Sequence, residues 1–255
     1  MEKIISGCPA LEDLTLIRSR HYRHREVPKI LTVRSKSLRR FRILFNVAYG
    51  MAGTDYSVVI DAPRLEYLSL SDNQSDVILV NNLTSLFMID IDTKFNVEFG
   101  GIQLSPAQKD NIRDFLTSVS GLFYPYRYLW PKFGNLYRLE IAFPSYALHY
   151  LPAFLESCPN LRELIVDFSF TVPKDRLRYV PKCLLSTLEC VEINNLIMWE
   201  ETGIELMNYF LENSAVLKKL SVSFTDSSIT NQERHTYMDR FASTRRSREC
   251  QVFAY

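Results

Sequence analysis

The sequence predicts an α/β solenoid: a curved parallel sheet with helices on its convex side. Three observations carry that expectation. The first is an apolar triplet, spaced three and then two residues, that recurs along the chain. It reads Leu11/Leu14/Leu16, Leu38/Phe41/Ile43, Leu65/Leu68/Leu70, Leu86/Ile89/Ile91, Leu136/Leu139/Ile141, Leu161/Leu164/Val166, Leu188/Val191/Ile193 and Leu217/Leu220/Val222. The second is the interval. Most steps between the leading residues match a repeat of roughly 20–29 residues, and the step from Leu86 to Leu136 spans about two such periods. The third is a shared lead-in, Cys-Pro-x-Leu, at Cys8 to Leu11 and again at Cys158 to Leu161.

Each element follows from spacing. The second and third members of a triplet are two apart, so they share one face of a short strand. The first lies before the strand and closes the core beneath them. The rest of each unit must return over the other side, and helical spacing shows there. Leu148, Leu151, Phe154 and Leu155 make one stripe; Ser105-Pro106 opens another with Ile112, Phe115, Leu116 and Val119. No unit buries its apolar face alone, so stability is summed over neighbours. Further on, Ile204, Met207, Phe210 and Leu211 predict a helix, and Thr230 with Glu233 has the spacing of a capping box. At the end, Cys250, Val252 and Ala254 alternate against Gln251, Phe253 and Tyr255 as in a last strand.

Composition bounds the function. The chain has 255 residues and a net charge of +1, so no global charge argues for nucleic acid or membrane. No apolar run approaches a bilayer span. The first residues lack the charged-then-apolar design of a signal peptide, which points to the cytosol or nucleus. The sequons at Asn73 and Asn82 are then expected to be unused. Five cysteines without metal-ligand spacing read as small buried hydrophobes.

If the triplets point inward, their strand neighbours point outward. That row is Asp13 and Thr15, Arg40 and Arg42, Tyr67 and Ser69, Met88 and Asp90, Arg138 and Glu140, Glu163 and Ile165, Cys190 and Glu192, then Lys219 and Ser221. Arg40, Arg42, Tyr67, Ser69, Met88, Asp90, Arg138, Glu140, Glu163, Ile165 and Glu192 are the candidate partner-binding residues, a graded charged strip suited to a protein. The alternative is a small anionic ligand held at Arg40 and Arg42. A basic stretch from Arg18 to Arg42 lacks the interleaved aromatics of RNA binders and reads as a solvated loop, which disfavours nucleic acid. The aromatic stretch from Gly121 to Tyr137 reads as core under a long loop. Catalysis finds no Gly-rich phosphate loop, GxSxG elbow or HExxH, and His21, His24, His149 and His235 are scattered.

The words "VPKCLLSTLECVEI", "YFLENSAVLKKLSV" and "RRSRECQVF" closely resemble the FBD domain at the C-terminus of many plant F-box proteins. Upstream, "ISGCPALEDLTL", "APRLEYLSL" and "LPAFLESCPNLRELIVDF" resemble the leucine-rich repeats of the same proteins. The resemblance divides the chain into repeats over 1–178, the first truncated, and an FBD-type α/β cap over 179–255. It implies a non-enzymatic interaction module without cofactors. In that family an N-terminal F-box docks a Skp-type adaptor of a cullin-based ubiquitin ligase, and the repeats are thought to select the protein to be ubiquitinated. The F-box is not in this sequence, so adaptor docking is expected only if one is supplied. An uncapped first repeat would leave Leu14 and Leu16 on an edge strand, frayed or self-associating.

Overall fold

The computed structural model describes residues 5, 8–19, 30–46, 57–72, 75, 77–81, 83, 85–92, 133–144, 151–169, 177, 179–241 and 246–255. The chain forms two compact units, Met1–Asn135 and Leu136–Tyr255. The predicted helix after Ser105, residue Leu148, and the aromatic stretch up to residue 132 lie outside the described residues.

In the first unit the described elements are strands: β1 (Asp13–Ser19), β2 (Ile30–Arg34), β3 (Arg40–Asn46), β4 (Ser57–Asp61), β5 (Tyr67–Asp72), β6 (Val77–Asn81) and β7 (Met88–Asp92). The triplets build one parallel ladder, β1-β3-β5-β7. Its register sets Leu14, Phe41, Leu68 and Ile89 in one rung line and Leu16, Ile43, Leu70 and Ile91 in the next. From β3 to β7 these residues are buried; Leu14 and Leu16 on β1 are half-buried.

Here the structure corrects the helical expectation. The described return segments of this unit form a second parallel sheet, β2-β4-β6. The reason lies in the period. "ILTVR", "SVVID" and "VILVN" alternate and are rich in β-branched residues, which suits a strand with one covered face. Leu31 and Val33, Val58 and Ile60, and Ile78 and Val80 are buried, whereas the residues between them are not.

The second unit keeps the same strand and changes the return. It runs β8 (Arg138–Pro144), α1 (Leu151–Glu156), β9 (Glu163–Ser169), α2 (Lys182–Ser186), β10 (Cys190–Leu196), α3 (Glu201–Asn213), β11 (Lys219–Phe224), α4 (Asn231–Asp239) and β12 (Gln251–Ala254). The strands pair in that order, all parallel. Leu151, Phe154 and Leu155 of α1 are buried, and α3 buries Met207, Phe210 and Leu211 as its spacing predicts; Leu206, outside the predicted stripe, is buried too, and Ile204 is half-buried. The capping box of α4 forms: Thr230 Oγ1 accepts from the Glu233 N–H, and the Thr230 N–H donates to the Glu233 carboxylate.

The lead-in has a mechanical role. The Leu11, Leu65 and Leu161 N–H groups donate three residues back, to Cys8, Ala62 and Cys158 carbonyls, closing turns. Pro9, Pro63 and Pro159 occupy the second turn position, where a fixed φ pre-forms the bend. At Leu38 the Ser35 hydroxyl accepts the equivalent N–H instead. After each turn, two consecutive N–H groups share one carbonyl of the preceding rung: Arg39 and Arg40 on Glu12, Glu66 and Tyr67 on Arg39, Glu189 and Cys190 on Arg162. Cys158, Cys183 and Cys250 are buried thiols as expected, whereas Cys8 is exposed and Cys190 half-buried. Cys158 donates to the Phe154 carbonyl and Cys183 to the Leu155 carbonyl, each at 3.4 Å, satisfying carbonyls at the end of α1. Burial pushes the Cys158 thiol well up and Cys183 to about 12.

Candidate partner-binding surface

The outward row of the first unit is fixed by the strand register. Asp13, Arg40, Tyr67 and Met88 form one line across β1, β3, β5 and β7; Thr15, Arg42, Ser69 and Asp90 form the next. Arg40 and Arg42 are exposed, and Tyr67, Met88 and Asp90 are half-buried. Ser69 stands on the outward side but is only 6% exposed, because a short side chain on an inner strand is shaded by its neighbours. Its hydroxyl donates to Asp90 at 2.8 Å, and Ser71 donates to Asp92 at 3.3 Å. Both arginines are engaged: Arg40 lies 3.6 Å from Asp13, and the Arg42 guanidinium lies 5.1 Å from the centre of the Tyr67 ring. The basic end of this face is therefore braced by one acid and one aromatic.

In the second unit Arg138, Glu163, Cys190, Lys219 and Gln251 align, as do Glu140, Ile165, Glu192, Ser221 and Phe253. Arg138 bridges Glu163 at 3.1 Å and Glu140 at 3.6 Å. Glu192 is half-exposed and forms no ion pair among the described residues. Ile165, at 9% exposure, is covered rather than free, flanked in register by Glu140 and Glu192. Cys190 is half-buried, and burial, then Glu163 and Glu189, raise its thiol pKa, so this thiol is poorly nucleophilic.

Sequence reasoning missed a second row at the residue before each strand. Arg39 pairs with Glu66 at 2.6 Å. Glu189 takes Arg162 at 3.2 Å on one side and Lys218 at 2.9 Å on the other. The hydrogen bond from Lys218 chiefly lowers the Glu189 pKa. The findable signal was equivalence by repeat: Glu12, Arg39 and Glu66, and then Arg162, Glu189 and Lys218, occupy one position and alternate in sign.

The basic segment over 20–29, with His21 and His24, and also His149, lie outside the described residues. Among the described residues no cluster of His, Cys, Asp or Glu could hold a metal ion, and no helix is long and apolar enough to cross a membrane.

Parallel strands joined by a turn lead-in, repeated at intervals of 21 to 29 residues along β1-β3-β5-β7 and along β8 to β11, define a leucine-rich type of repeat protein. Comparison with known proteins agrees. Residues 1–122 match the family described as FBD-associated F-box protein At5g56370, LRR repeats, and residues 176–222 match FBD. The chain is similar to F-box/FBD/LRR-repeat protein At2g26030 of Arabidopsis thaliana, 52% identical over 99% of this chain and 61% of that protein. It is also similar to the putative F-box/FBD/LRR-repeat proteins At5g44950 and At5g44960 of the same plant. These are 50% and 42% identical, over 98% and 99% of this chain and 60% of each relative. Over nearly its whole length the chain is thus similar to plant F-box/FBD/LRR-repeat proteins. It spans about three fifths of the length of the curated relatives it matches. No solved structure matches it significantly.

Proposed function

We propose that this chain is a non-enzymatic protein-recognition module, the target-selecting part of an SCF-type ubiquitin ligase subunit. The observation that carries the reading is the outward strand row. It holds charged and aromatic side chains at fixed rung positions on parallel sheets, with Tyr67 and Met88 half-exposed between Arg42 and Asp90. Such a surface offers several anchors at set spacing to another protein. The relatives' names carry the word F-box, which supports adaptor docking by the whole protein. In this reading the rungs of each unit stack as solenoid-type repeats with the strand row as the binding face. Residues 1–178 are the repeats, and 179–255 the FBD segment that continues and caps them. The protein works in the cytosol or nucleus.

Affinity capture tests it. The double variant Arg42→Glu/Glu192→Lys is expected to lose the captured target while melting as the parent does. Undiminished capture overturns the surface assignment. Grafting an F-box upstream is expected to add a Skp-type adaptor to the captured set; adaptor capture by the ungrafted chain contradicts the view that docking lies in a segment other than this one.

A further inference from the structure

β12 ends its sheet with an open edge. The Gln251 N–H donates to the Lys218 carbonyl at 2.8 Å and the Tyr255 N–H to the Val222 carbonyl at 2.9 Å. That bonding turns the N–H and C=O of Gln251, Phe253 and Tyr255 toward β11. The backbone groups of Val252 and Ala254 alternate to the other side. No strand pairs with that side among the described residues. Unpaired backbone of this kind is a template for another strand unless proline, a bulge or an inward charge blocks it. "QVFA" contains none of these.

The surroundings say what chemistry fits. Phe253 and Tyr255 are 37% and 58% exposed and stack at 6.4 Å between ring centres, an apolar ledge beside the edge. The Lys219 ammonium lies 5.6 Å from the Phe253 ring centre. Arg246 and Arg248 are exposed in the turn that leads into β12. Lys219, Arg246 and Arg248 form no ion pair among the described residues. Glu249 is the one acidic side chain within residues 246–255. The edge is thus basic and aromatic.

The geometry points to β12 as the docking edge for an extended acidic segment of a partner protein, added as a further strand. Backbone bonds to Val252 and Ala254 supply affinity. Acidic side chains reach Lys219 and Arg248, and apolar ones lie on Phe253 and Tyr255. This edge adjoins the end of the outward strand row at Lys219 and Phe253, but its test reads backbone bonds at Val252 and Ala254 that the Arg42 and Glu192 variant leaves intact.

The test uses a fluorescein-labelled decapeptide alternating valine with glutamate, its lysine-for-glutamate counterpart, and the full chain. Anisotropy is expected to show saturable binding of the acidic peptide that weakens as salt rises. Ala254→Pro removes an outward N–H and spares the bonds to β11, a site where edge strands accept proline. It should weaken binding roughly tenfold or more, with β11 amides still protected from exchange. In the parent, Val252 and Ala254 amides should exchange fast and become protected when peptide is added. Absence of binding, equal binding of the lysine peptide, or full binding by Ala254→Pro overturns the proposal. So does sedimentation showing that a second copy of the chain, rather than the peptide, occupies this edge.

Discussion

The two units set the same rung on different returns. In Met1–Asn135 the described return segments are strands β2, β4 and β6; in Leu136–Tyr255 they are helices α1 to α4. The rungs hardly differ. Leu68 and Leu164 are equally buried, and each rung begins with two N–H groups on one carbonyl of the rung before. The inner ladder therefore does not dictate the outer layer. What dictates it is the period of the return segment: two in "SVVID", close to 3.6 in "ETGIELMNYFLEN". The lead-in cysteines differ as well. Cys158 is buried against the last turn of α1, whereas Cys8, at the equivalent place, is exposed.

The sharpest way to break the comparison is to cut a large hole at one rung position in both units. Leu68→Ala and Leu164→Ala are each expected to cost roughly 2–5 kcal/mol in denaturant unfolding. A loss within error for either would mean that its rung is not core. Next comes the helical return itself. A Cβ on Gly203 of α3 would run into the buried Leu196 side chain. Gly203→Ala should therefore destabilise by about 1–2 kcal/mol, overpacking outweighing a helix-propensity gain of up to about 1 kcal/mol. A stabilised variant would show that α3 does not press on β10 there. Thr230→Ala removes the cap of α4 and should cost about 1 kcal/mol. The smallest effect belongs to the charged row. The Glu189 pKa is held below its ordinary 4.5, chiefly by the Lys218 hydrogen bond. A lowered folded-state pKa adds stability above the unfolded value, and that stability is lost as pH falls through the folded one. The melting difference between the parent and Glu189→Gln should shrink as pH is taken below about 4.5. A pH-independent difference would show that the charge has no part in it.

Much of this was legible because burial and period agree. The triplets, α3, the Thr230 cap and the last strand each rest on local spacing that packing leaves unopposed. The strand returns of the first unit were also written in "ILTVR", "SVVID" and "VILVN". They were overridden by extending the helical stripe near Leu151 to every unit. The charged row at Arg39, Glu66, Arg162, Glu189 and Lys218 escaped because its partners lie 27 or 29 residues apart, visible only once repeats are superposed. Ser69 and Ile165 were read as outward, and they are; alternation gives direction, while neighbours decide exposure.

The contrast between returns is tested most directly by backbone assignment of the full chain in solution. Cα and Cβ chemical shifts over residues 57–61 should be strand-like, with cross-strand contacts joining Val58 to Leu31 and Ile78, while residues 201–213 give helical shifts. Helical shifts over 57–61 would contradict the two-sheet unit.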